Sequence, residues 1–98
     1  MQTKKPKLDV SQKKAIKQLS NVRAFRQSVA PNQSVFWNQY GVTQSGGSRY
    51  EGGRNIPTAT RILMALHTMG VVSDEDLARA TAVATKLGES YRGDVRDE

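Results

Sequence analysis

One stretch of twenty residues, Asn32 to Glu51, restricts this chain more than any other: NQSVFWNQYGVTQSGGSRYE. It reads as two cap-and-helix units joined by a single glycine. Asn32 can accept a hydrogen bond from the open N–H groups that begin one helix, and Thr43 can do the same for the next. Between them, Gly41 supplies the left-handed backbone that a sharp turn needs. Phe36, Tyr40, Val42 and Tyr50 are expected to point inward from the two units, which fixes a helix pair crossing over a shared apolar contact.

The outer face of the second unit is polar. Gln44, Ser45, Ser48 and Arg49 fall on it, the residue types that can hydrogen-bond base edges in a major groove. The charge pattern agrees. The chain carries a net charge of +6 over 98 residues. Residues 1–32 hold +7, residues 33–70 hold +2 and residues 71–98 hold −3, so the positive field lies on the N-terminal side, beside the motif. A basic patch alone is more often a solubility feature, but next to this motif it points to phosphate contacts.

These residues resemble a known family, the Cro/repressor-type (Xre-like, lambda-repressor-like) helix-turn-helix proteins. The resemblance rests on Gln33, on Gly41-Val42-Thr43-Gln44-Ser45, on Ser48-Arg49-Tyr50-Glu51, and on Gly53-Arg54 and Pro57. It covers roughly residues 19 to 70, and the joint spacing makes it specific. It implies that Gln44, Ser45, Ser48 and Arg49 read bases. It also implies that Gln33 donates to a phosphate while steadying the start of the reading helix, and that Arg54 and Asn55 hold the phosphate backbone together with main-chain N–H groups of their loop. Lys4, Lys5 and Lys7 would add phosphate contacts from the N-terminal arm. Glu51 matches an acidic position that holds the loop. Two positions depart from the family. Gly47 stands where an aliphatic residue is usual, and Trp37 where a small alanine is usual. The indole is expected to fill the volume that the missing side chain vacates.

Around the motif the chain reads as helices only. Residues 1–10, with Pro6 among lysines, are expected to be a disordered basic arm. From Ser11 to Val29 a stripe of Ile16, Leu19, Val22, Phe25 and Val29 predicts one long helix or two shorter ones broken near Ser20-Asn21. Pro31 ends it. Motif helices follow over 33–40 and 44–52, then a helix over 58–69 with a stripe of Ile62, Leu63, Leu66 and Met69, closed by Gly70. Ser73 caps a last helix over 73–87 whose face is Leu77, Ala80, Thr81, Ala84 and Leu87, ended by Gly88. Residues 89–98 are expected to be a disordered tail. The fold class is all-α: a compact four- to five-helix bundle containing a helix-turn-helix over 11–88. The last helix is available either as a homodimer surface or for packing on its own domain.

Several chemistries are excluded. There are no cysteines, so disulfides, thiolate catalysis and zinc ribbons drop out. Ser45-Gly46-Gly47-Ser48 lacks the Gly-Lys-Ser/Thr ending and preceding strand of a phosphate loop. Ser11 and Lys14 satisfy a Ser-x-x-Lys pattern, which in a lysine-rich arm carries no weight. His67 is the only histidine, lacks partners at ligand spacing, and reads as a helix C-terminal residue. No enzyme, metal site or cofactor is expected. The expectation is a cytoplasmic, sequence-specific regulator of transcription, a repressor binding double-stranded DNA as a homodimer, with no membrane segment. The alternative is an antitoxin-like or protein-interaction module on the same scaffold.

Overall fold

The computed structural model describes residues 7–92, so Lys4, Lys5 and residues 93–98 lie outside the described residues. Six helices follow one another without a strand among the described residues: α1 (Val10–Leu19), α2 (Val22–Val29), α3 (Gln33–Asn38), α4 (Gln44–Glu51), α5 (Thr58–Thr68) and α6 (Asp74–Arg92). The all-α class holds, with six helices rather than four or five.

Local chemistry explains most boundaries. Asp9 and Gln12 form a reciprocal capping box at α1, each side chain accepting from the other's backbone N–H at 2.8 Å. The 11–29 pattern splits because Ser20 donates back to the Ile16 carbonyl at 2.7 Å while Asn21 caps α2 by accepting from the Ala24 N–H. Short polar side chains thus compete with helix continuation at that point. Asn32 accepts from Ser34 and Val35 N–H groups, and Thr43 accepts from Gly46 N–H at 3.1 Å. Gly41 closes the turn between α3 and α4 at φ +76°. Gly70 ends α5 at φ +82°. Ser73 and Asp76 then form a second reciprocal box opening α6.

The core gathers where the motif helices meet the rest. Val22, Phe36, Trp37, Tyr40, Met64 and Leu77 are buried, ringed by half-buried Phe25, Val42, Tyr50 and Leu63. Phe36 packs edge-on against Phe25, Trp37 and Tyr40. Three expected stripes need correction. On α5 the core residue is Met64, at 1 % exposure, whereas Ile62 is 57 % exposed. On α1 it is Ala15 that is buried, and Ile16 and, at the end of α2, Val29 face outward. Gly88 does not end α6, which continues to Arg92. Of its expected apolar face only Leu77 is buried in the core; Ala80, Thr81, Ala84 and Leu87 remain exposed, so beyond Leu77 that face is not covered by its own domain.

Candidate nucleic-acid interface

The second motif helix presents the side chains expected of it. Gln44, Ser45, Ser48 and Arg49 are all exposed, while Gly47 on the opposite side is buried. Arg49 lies back along its own helix, Nη1 donating to the Ser45 carbonyl at 3.3 Å. Gln44 and Ser45 form the first turn, where the Thr43 cap fixes the backbone.

Beneath this face lies a network centred on Glu51. Its side chain is only 4 % exposed and receives four donors. Arg26 Nη2 and Gln33 Nε2 donate to Oε1 at 2.9 and 3.0 Å; Arg26 Nε and Trp37 Nε1 donate to Oε2 at 3.0 and 2.8 Å. Charge-assisted bonds of this kind favour the ionised acid. The Arg26 guanidinium above all, then the Trp37 and Gln33 bonds, outweigh the cost of burial and hold the Glu51 carboxyl at about 2. Arg26 is raised in turn, first by its hydrogen bonds to Glu51. Glu51 was expected to hold the loop that follows it. It instead ties α2 and α3 to the end of α4.

Gln33 stands between this network and the outer face. Its Nε2 faces Glu51, and its Oε1 accepts from Gln44 Nε2 at 2.8 Å. It therefore does steady the residue that begins α4. The following loop differs from expectation. The N–H groups of Gly52, Gly53 and Arg54 are consumed by the carbonyls of Ser48, Arg49 and Tyr50, with Gly53 at φ +109°. The main chain of these three residues cannot serve a phosphate without giving up those bonds. The loop's outward groups are the exposed side chains of Arg54 and Asn55. In the N-terminal arm, Lys7 is exposed.

Trp37 is fully buried between the motif helices. A Cβ built on Gly47 would overlap the pyrrole ring of the indole, so the two departures from the family pattern do explain each other. An exposed indole would have marked a partner-binding surface; this one does not.

Sequence reasoning missed Arg26 as part of this network. The signal was present, since Arg26 falls on the same face of α2 as Val22, four residues on, and a charged residue on an apolar stripe asks for a buried partner. His67 was also under-read. Tyr40 Oη lies 2.6 Å from its Nδ1 and Asp74 Oδ1 lies 2.7 Å from its Nε2, joining the turn after α3 to α5 and α6. Burial first, and the Asp74 charge second, push the Tyr40 hydroxyl up to about 12.

Residues 23–67 match the family described as the RsaL-like HTH domain. No curated protein and no solved structure shows significant similarity to the chain. The matched segment runs from α2 through α5 and contains Arg26, Gln33, Trp37, Gln44, Gly47, Glu51, Arg54 and Asn55. The similarity is thus to the helix-turn-helix class in its RsaL-like form, not specifically to the Xre-like proteins. Residues 23–67 are therefore similar to the RsaL-like helix-turn-helix domain, which is of the DNA-binding class.

Proposed function

We propose that this protein is a sequence-specific DNA-binding regulator of transcription, acting as a repressor, with α4 lying in the major groove. The observation that carries this reading is the α4 surface: four hydrogen-bonding side chains, Gln44, Ser45, Ser48 and Arg49, exposed on a helix whose other side is locked into the core. Gln44 and Arg49 match the donor–acceptor patterns of adenine and guanine respectively. Arg54, Asn55 and the N-terminal lysines would set the register by contacting phosphates, and Gln33 would join them through the second N–H of the amide that it gives to Glu51. No catalytic step or cofactor is needed for this action, and a DNA partner places the protein inside the cell. Among the described residues no helix is long and apolar enough to cross a membrane.

Short readers gain affinity by binding as symmetric pairs on palindromic sites. The exposed part of the α6 face, Ala80, Thr81, Ala84 and Leu87, is the surface we assign to that pairing. The test is a mobility-shift titration with genomic fragments at moderate salt and excess random competitor. Retarded fragments sharing a common, two-fold sequence support the reading. Binding that the competitor abolishes equally for every fragment refutes it.

One substitution and one deletion sharpen the assignment. Gln44→Ala is expected to cost about 1–3 kcal/mol on the specific site and to relax preference at one base position; an unchanged preference in a binding selection removes Gln44 as a reader. Deleting residues 1–10 removes Lys4, Lys5 and Lys7 and is expected to weaken specific and random DNA alike. Each lost phosphate contact should flatten the log–log salt dependence by about 0.9. A constant slope means that the arm does not touch DNA.

A further inference from the structure

A carboxylate can only accept hydrogen bonds, whereas a primary amide has one accepting end and one donating end. That asymmetry has a consequence outside the core. Glu51 Oε1 faces Gln33, so Gln33 must turn its NH2 inward. Its oxygen is then the end that meets Gln44, and Gln44 must answer with its own NH2. What Gln44 leaves for the groove is its Oε1 and its second N–H. This pairing of acceptor with donor complements the N6–H and N7 edge of adenine, and not the two acceptors, O6 and N7, of guanine.

We infer that Glu51 is a specificity-positioning residue: by fixing the direction of the Gln33 and Gln44 amides it makes Gln44 read adenine rather than guanine. The inference rests on the reading of Gln44 as a base reader. Glu51 never touches the DNA, and it acts through two intervening hydrogen bonds.

An amide in place of the Glu51 carboxylate should reverse the relay. In Glu51→Gln, the amide oxygen is held at the Oε2 position by two donors, Arg26 Nε and Trp37 Nε1, and only Arg26 Nη2 loses its acceptor at the Oε1 position. The new NH2 must then face Gln33, which flips to accept. Gln33 next offers NH2 to Gln44, and Gln44 turns its oxygen inward. Only N–H groups remain for the groove, the arrangement that suits guanine. Gln33→Met breaks the relay at a half-buried position without touching the ion pair, and so covers the case in which Glu51→Gln fails to fold.

The experiment measures binding of wild type, Glu51→Gln and Gln33→Met to duplexes differing only at the base that Gln44→Ala identifies. Wild type is expected to prefer adenine over guanine by about tenfold. That ratio should fall to unity or invert in Glu51→Gln, and collapse towards unity in Gln33→Met. An adenine preference retained in Gln33→Met, or an equal loss on all four duplexes in either variant, overturns the inference. In parallel, the side-chain amide of Gln44 is followed by ¹⁵N NMR without DNA. One of its two protons should be downfield and protected in wild type, and neither in Gln33→Met. A Gln44 amide signal that is the same in wild type and Gln33→Met also overturns the relay. If wild type discriminates no base, the proposed function fails, and the NMR comparison still decides the relay.

Discussion

Replacing Trp37 by alanine is expected to destabilise the domain by about 3–5 kcal/mol, the range for removing a large buried aromatic. That is a large share of what a small domain has. Nothing around the ring can readily collapse into the space. Phe36 and Tyr50 contact it at centroid distances of 5.1 and 5.5 Å, and the backbone of Gly47 has no side chain to follow. The loss has a polar part too, since Glu51 forfeits the indole N–H. Trp37→Phe separates the parts: it keeps most of the volume and should cost about 1–3 kcal/mol for the missing donor and residual gap. Gly47→Ile alone should overpack, by roughly 1–3 kcal/mol, because its first carbon already overlaps the indole. Combined with Trp37→Ala, the same isoleucine fills the vacated space. The double variant should recover stability well beyond additivity, as contacting residues do. Chemical denaturation followed by circular dichroism measures all four, and a strictly additive double variant would end this account.

That pairing was legible from the chain alone because each residue is abnormal for its position, and the two abnormalities are complementary in volume. The caps at Asn32, Thr43 and Ser73 and the turn at Gly41 were legible for a similar reason: they are local, and their chemistry has few alternative uses. The phase of α5 was not legible. Ile62-Leu63-Met64-Ala65-Leu66 is a continuous apolar run, and such a run has no side that periodicity can choose. Gly88 misled because a glycine inside a helix costs only about 1 kcal/mol. It stops a helix when the backbone turns left-handed there, and among the described residues only Gly41, Gly53 and Gly70 do so.

The polar network shows a different limit. Gln33, Gln44 and Glu51 were each noticed, and Gln33 was expected to steady the start of α4, but the link from Glu51 to Gln33 was not. Arg26 and Glu51 lie 25 residues apart, and Tyr40 and His67 lie 27 apart. No spacing rule reaches that far. Only the folded arrangement makes four donors converge on one carboxylate.

Glu51→Ala is the second change expected to have a large effect, about 3–5 kcal/mol, because it leaves the Arg26 guanidinium in the interior without its counter-charge. Acid should act on the same group. The Glu51 carboxyl is depressed from 4.5 to about 2 in the folded protein. Between those values the unfolded chain binds the proton more readily, so stability rises with pH. Its contribution is complete above about pH 4.5 and is lost progressively as pH falls towards 2. The cap carboxylates of Asp9 and Asp76, also lowered by their hydrogen bonds, act in the same direction, so Glu51 is isolated by difference. The stability-against-pH curves of wild type and Glu51→Gln should converge as the pH is lowered through this window. Parallel curves would show that the ion pair does not govern acid sensitivity. Stability and recognition can then be separated. Replacing both partners, as Arg26→Met with Glu51→Leu, removes the buried charges together and should restore much of the stability that Glu51→Ala loses, since apolar pairs can substitute for buried ion pairs. It offers nothing to orient the Gln33 amide, however. The double variant is therefore expected to fold well, to lose the Glu51 part of its acid sensitivity, and to bind DNA without the adenine preference at the Gln44 position. A double variant that keeps that preference would mean that the packing of α3 on α4 aligns Gln44, with no need for a charge beneath it.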